Sequence, residues 1–132
     1  MNLFLKEVLD AHELIKEWLG NETAKDEVCE DLLARFSPAY SMVTTGGGLL
    51  DFTTLDSFFR TQRGARPGLA IEISDMRVIA DNENGATVVY KELQQLPGHS
   101  PTLRFSTVVF ESKPNGKIIW RHLQETALPQ PS

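Results

Sequence analysis

The residues of this chain that could do chemistry are few, and the most informative is a histidine. On a helical wheel of about 100° per residue, Phe4, Leu5, Val8, Leu9, Ile15 and Leu19 share one arc, while Lys6, Asp10, Glu13 and Glu17 share the other. His12 sits near the centre of the apolar arc and is expected to face the interior. Two roles are open to it there. A buried imidazole can be a structural group bonded to a backbone carbonyl or a carboxylate, or it can touch a ligand and move protons. Gly46-Gly47-Gly48 lacks the lysine and hydroxyl that complete a phosphate loop, so an entrance loop is the better reading. Arg60, Arg63 and Arg66 read as solvated surface at a helix end. Cys29, the single cysteine, reads as packed inside a helix, and no serine or cysteine nucleophile motif is visible. No metal-ligand spacing exists, so no metal and no cofactor are expected.

Those residues need elements to position them. The chain has 132 residues, 41% of them hydrophobic and 23% charged, which suits one folded domain with a true core. We expect that domain over residues 1–128, with a loose tail at 129–132. The net charge of -5, with no basic stripe to offset it, argues against a nucleic-acid partner. The start of the chain turns charged too early for a signal peptide, no later stretch approaches a membrane span, and the lone cysteine suits a reducing compartment. A cytoplasmic protein without a membrane partner is therefore expected.

Helical periodicity predicts a first helix ending near Gly20. A second runs from a cap at Thr23 through Val28, Leu32, Leu33 and Phe36 to the stop at Ser37-Pro38. A short strand over 40–45, the glycines, and a third helix over about 53–62 follow. Beyond Pro67-Gly68, four strands are expected over 69–80, 86–96, 103–112 and 117–128, separated by turn-forming residues. Helices first and an antiparallel meander afterwards give an α+β fold.

This order resembles the nuclear transport factor 2-like superfamily, which includes SnoaL-like cyclases and ketosteroid isomerase. The likeness covers nearly the whole chain. It is strongest to the association domain of calcium/calmodulin-dependent protein kinase II, in the stretches from Asn84 to Tyr90 and from Gly116 to Thr126. The resemblance implies a cone-shaped, curved antiparallel sheet wrapped around three helices from the N-terminal half, a cavity at one end, and frequent dimerisation through the sheet's outer face. Relatives with arginine-lined pockets differ here, because Glu92 and Glu125 fall where they place basic residues, which argues against an anionic ligand. The isomerase's base and oxyanion hole do not map onto the chain.

Side chains alternate along a strand, so Val88, Tyr90 and Glu92 share one face while Val89, Lys91 and Leu93 share the other. The register implied by the resemblance puts the Tyr90 set inside. It also turns Leu103, Phe105, Thr107 and Val109 inward on the next strand, and Ile119, Arg121, Leu123 and Glu125 on the last. The expected ligand cavity is therefore bordered by His12, Tyr90, Glu92, Phe105, Thr107, Arg121, Leu123 and Glu125. Glu92 and Glu125 could form a carboxylate pair with one raised pKa, or Arg121 and Glu125 could form an internal ion pair. The outer face would present Val89, Val108, Phe110, Ile118, Trp120 and His122, a surface apolar enough to expect a homodimer. Three functions stay open: binding of a small, largely apolar molecule, acid/base catalysis of a lyase, isomerase or hydrolase type by a cavity carboxylate or His12, and a dimeric interaction domain with a vestigial cavity. No catalytic residue is assigned.

Overall fold

The structure is a computed structural model that describes residues 1–129; of the expected tail, Gln130, Pro131 and Ser132 lie outside the described residues. Among the described residues three helices and six strands follow one another as α1 (Leu3–Gly20), α2 (Asp26–Leu33), β1 (Phe36–Val43), β2 (Leu49–Asp51), α3 (Phe52–Thr61), β3 (Ala70–Asn82), β4 (Gly85–Gln95), β5 (Thr102–Ser112) and β6 (Ile118–Leu128). The α+β architecture is the expected one.

Helix α1 starts where Asn2 accepts hydrogen bonds from the amides of Phe4 and Leu5, and it buries Val8, Ala11, His12, Trp18 and Leu19. Val8 and Leu19 of the expected arc are buried, Phe4, Leu5 and Ile15 pack partly buried against the core, and His12 lies among them; Ala11 and Trp18 join the buried face, which Leu9 does not. Helix α2 is shorter than expected at both ends. Asn21 takes the Thr23 amide and hydroxyl at 3.0 and 2.7 Å, which fixes Thr23 in a turn rather than as a helix cap. At the other end Phe36 pairs with Trp120 in the sheet and the Trp120 amide reaches the Arg35 carbonyl at 2.9 Å, so the chain becomes extended at Phe36 and runs through Pro38 as strand. Helix α3 is capped by Asp51, which accepts from the Thr54 amide at 3.0 Å. The indole of Trp18 donates to the Phe59 carbonyl at 2.6 Å and ties α3 to α1.

The strands form one sheet in the order β2-β1-β6-β5-β4-β3. The long strands pair antiparallel, as expected, but β1 runs parallel to β6, so the sheet is mixed. The short strand β2, which pairs antiparallel with the end of β1, had no signal of its own because the glycines beside it suggested only a loop. At the other end of the sheet, β3 is interrupted by register shifts between Ser74 and Arg77 and between Val78 and Ala80, with Asp75 at φ 53°. Such bulges bend an edge strand and make it a poor template for further pairing. The β3–β4 hairpin closes at Gly85, whose φ of 155° and contact with the Phe110 carbonyl leave no room for a side chain.

Pairing across strands decides which residues share the concave face, against which the helices pack. Tyr90 is opposite Ser106, and Val88 is opposite Val108. Partners directly opposite one another project to the same side, so β5 turns Ser106, Val108 and Phe110 inward, all of them buried. The expected phase of β5 is thus off by one residue. Phe105 and Thr107 lie on the convex face, as do Leu103 and Val109; Phe105 is 40% exposed and Val109 37%. On β6, Glu125 and Leu123 follow the inward phase opposite Ser106 and Val108, and then a bulge intervenes. His122 pairs with Val109 but Trp120 pairs with Phe110, which leaves Arg121 as the extra residue. The bulge expels Arg121 and brings Trp120 inward.

Candidate functional site

A hollow of about 360 Å³ opens between α1, α3, β1 and the concave face of the sheet. Its walls are apolar: Ala11, Ile15 and Leu19 come from α1, Leu55, Phe58 and Phe59 from α3, Phe36, Tyr40 and Met42 from β1, and Trp120 and Leu123 from β6. Thr44, Thr45, Leu50, Thr54 and Arg66 also border it. The polar groups that face it, His12, Glu92, Gln94, Arg104 and Glu125, come from α1 and from neighbouring strands.

His12 makes two bonds whose chemistry fixes its protonation. Its Nδ1 lies 2.7 Å from the Val8 carbonyl, which can only accept, so Nδ1 carries a proton. Its Nε2 lies 3.1 Å from Glu92 Oε1, which is an acceptor whenever the carboxylate is ionised. With Glu92 ionised both nitrogens donate, so below its raised pKa the ring is an imidazolium facing a carboxylate. Burial by itself would lower the His12 pKa, but the charge and hydrogen bond of Glu92, together with Val8, outweigh it and leave the value raised. For Glu92 burial acts upward, yet the His12 charge and hydrogen bond, the Gln94 amide and Arg104 bring its pKa down to about 2.

The remaining contacts continue this chain of pairs. Gln94 Nε2 donates to Glu92 Oε2 at 2.6 Å, and Gln94 Oε1 accepts from Arg66 at 3.1 Å at the mouth of the hollow. Arg104 donates to Glu125 Oε1 at 3.1 Å. That single partner does not overcome the burial of Glu125, whose pKa is raised, with the charge of Glu92 adding to the effect. Tyr40 and Tyr90 are pushed upward by burial, and then by the carboxylates around them. Tyr90 and Ser106 face each other across β4 and β5, and among the described residues neither hydroxyl has a well-formed hydrogen bond.

The structure brings together His12, Glu92, Leu123 and Glu125 around the hollow, with Tyr90 buried beneath it and its ring centroid 5.4 Å from that of His12. It does not bring Phe105, Thr107 or Arg121 there. Arg121 has a side chain 41% exposed, donates to the Ala39 carbonyl at 2.5 Å and lies 3.6 Å from Glu111. It therefore makes no pair with Glu125; Arg104 does.

The proposed outer-face set divides as well. Val108, Phe110 and Trp120 belong to the buried concave side, where Trp120 donates to Glu7 at 3.0 Å and packs against Phe110. Ile118 is half-buried against the same core. Val89 and His122 do occupy the convex face, where His122 Nδ1 is hydrogen-bonded to Ser41 Oγ at 2.7 Å. Arg104 and Gln94 are among the polar lining residues that the sequence did not reveal, as are Tyr40 and Arg66; the alternation of β5 would have yielded Arg104 had the pairing of Tyr90 with Ser106 been known. Among the described residues no group of three His, Cys, Asp or Glu side chains is placed to hold a metal ion.

Comparison with solved structures finds the same architecture. An NTF-2 like protein of unknown function from Pseudomonas aeruginosa is 39% identical, with a TM-score of 0.90 over 96% of this chain and 98% of that one. The association domain of the Caenorhabditis kinase (C. elegans CaMKII) matches at 14% identity and TM-score 0.70, over 94% of this chain and 95% of that one. A ketosteroid isomerase-like protein from Erwinia carotovora atroseptica matches at 10% identity and TM-score 0.57, over 76% and 82%. The last two likenesses are of fold alone. No protein-family model and no curated protein sequence matches the chain.

Proposed function

The chain belongs to the nuclear transport factor 2-like family, and from that premise we propose that its hollow binds a small, largely apolar molecule. One observation carries the reading: the walls are apolar and aromatic while the charged groups are already paired with one another, His12 with Glu92 and Arg104 with Glu125. A site built for proton transfer keeps a group free to reach its substrate, whereas self-paired groups orient a guest without reacting with it. The volume of about 360 Å³ falls within the ordinary range of ligand pockets, about 300–1,000 Å³. The acid/base alternative rests on Glu125 alone, whose raised pKa is the property a general acid needs.

The test is solvent extraction of the purified protein followed by mass spectrometry, in parallel with the variant Met42→Trp, which places an indole in the hollow. An apolar compound recovered from the natural chain and absent from the variant supports binding. Equal recovery from both would remove it.

Self-association is the second proposal, favoured by the convex face. Leu93, Leu103 and Leu128 align across β4, β5 and β6, with the exposed ring of Phe105 beside them and Val109 farther along β5 on the same face. An apolar patch of this kind is best covered by its twofold copy. The solved relative from C. elegans is itself named an association domain. Phe105→Glu should therefore produce a monomer in sedimentation experiments without loss of folding, whereas a monomeric natural chain at micromolar concentration would end the proposal. No described helix is long and apolar enough to cross a membrane, and a cytoplasmic setting for the single domain is proposed on the isolated, buried thiol of Cys29.

A further inference from the structure

Resting on the reading of the hollow as a binding site, we infer that its ligand carries a neutral hydroxyl at one end, an alcohol or phenol, seated between Tyr40 and Glu125. The inference comes from counting what the pocket still offers after its internal bonds are made.

The charges cancel in pairs. His12 is matched by Glu92 at 3.1 Å and Arg104 by Glu125 at 3.1 Å, while Arg66 at the mouth is turned to Gln94. A ligand carboxylate would have to take Arg104 from Glu125. A ligand ammonium would add an unmatched positive charge to a set of groups that is already neutral as pairs. Either ion would enter an apolar enclosure without a counter-charge of its own, which costs several kcal/mol. A neutral polar group avoids that cost.

The groups left with hydrogen-bonding capacity define its type. The Tyr40 side chain lines the hollow, and its hydroxyl, which has no partner among the described residues, is open to that space rather than enclosed as the hydroxyls of Tyr90 and Ser106 are. Glu125 accepts from Arg104 through Oε1 only, which leaves Oε2 with no partner among the described residues. The phenol donates and the carboxylate oxygen accepts. A guest that satisfies both must accept one hydrogen bond and donate another, as a hydroxyl does. Both residues line the same hollow. Beyond them, Phe36, Trp120 and Leu123 supply the apolar surface for the remainder of the guest.

A matched series that shares one apolar body tests this: 1-octanol, octanoate, octylamine and n-octane, titrated calorimetrically against the natural chain and Tyr40→Phe. The alcohol should bind about tenfold more tightly than either ion. Tyr40→Phe should weaken the alcohol about fivefold to tenfold, the loss of one hydrogen bond, and leave n-octane within about twofold. Thermal melting of the variant checks that it remains folded. Tighter binding of octanoate or octylamine, or an equal loss for alcohol and alkane in Tyr40→Phe, overturns the hydroxyl assignment and leaves the hollow as a binding site. Absence of binding by all four compounds removes the binding site and this inference with it.

Discussion

Glu92 and Glu125 are buried on the same concave face and border the same hollow, yet their proton equilibria move in opposite directions. Burial pushes both upward. What separates them is the number of donors each collects. Glu92 receives His12 on one oxygen and Gln94 on the other, with Arg104 adding attraction. Glu125 receives Arg104 alone and feels the negative charge of Glu92. Ionisation of a buried carboxyl is therefore decided by its local donors rather than by depth. The polar cluster thus has a locked end, His12 with Glu92, and a poised end, Glu125 with Arg104, joined where Arg104 lies opposite Glu92.

Breaking the locked end should give the largest effect. Glu92→Ala strands the His12 imidazolium without a partner, and removal of one member of a buried pair costs about 3–5 kcal/mol. Urea unfolding should show that loss. The double variant His12→Leu with Glu92→Leu should recover most of it, to within about 2 kcal/mol of the natural chain, because it removes both charges together. If the single variant unfolds at the same urea concentration as the natural chain, the ion pair is not the organiser of that end.

The pair should also bracket stability in pH. Glu92 has a folded pKa lowered from 4.5 to about 2, so its contribution is present above 4.5 and is lost as pH falls towards 2. The loss should reach roughly 3 kcal/mol. His12 is raised from 6.5, so its contribution is complete below 6.5 and is lost as pH rises through the folded value. The two losses belong to one interaction and should not be added. Stability should peak between about pH 4.5 and 6.5, and imidazole NMR signals should report a His12 pKa above 6.5. A value below 6.5 would contradict the doubly donating ring.

The residues of the locked end were more legible in the sequence than their neighbours on β5. His12 was readable because helical periodicity accumulates over many residues, and the apolar arc around it leaves one phase. Alternation puts Tyr90 and Glu92 on one face of β4, and the register implied by the family resemblance turned that face inward. On β5 both alternating sets, Phe105 with Val109 and Val108 with Phe110, are apolar, so composition does not say which faces inward and a one-residue error inverts the strand. On β6 the bulge at Arg121 changes the phase partway along. Nothing in the run Ile118-Ile119-Trp120-Arg121 announces it. The parallel pairing of β1 with β6 was hidden for a similar reason, since Pro38 and the overrun of α2 periodicity masked the start of the strand.

The smallest effect, and the sharpest test of the poised end, belongs to Glu125→Gln. Glutamine keeps an oxygen that can accept from Arg104 and has the same shape, so packing is retained. What it lacks is the charge whose burial the fold resists. Because the folded pKa of Glu125 is raised, its contribution is favourable below 4.5 and is lost as pH rises through the folded value; at neutral pH the ionised group strains the fold. Its partner Arg104 remains partly solvated, with 23% of its side chain exposed, so losing the counter-charge costs little there. The two changes oppose each other, and the net shift at pH 7 should lie within about 1 kcal/mol of zero. The sign of the trend carries the information: relative to the natural chain, the variant should gain stability as pH rises from about 4 to 7. Urea midpoints for both chains over that range measure it. A difference that is flat with pH, or a loss as large as that of Glu92→Ala, would mean that Glu125 is held as firmly as Glu92 and that the hollow has no poised acid.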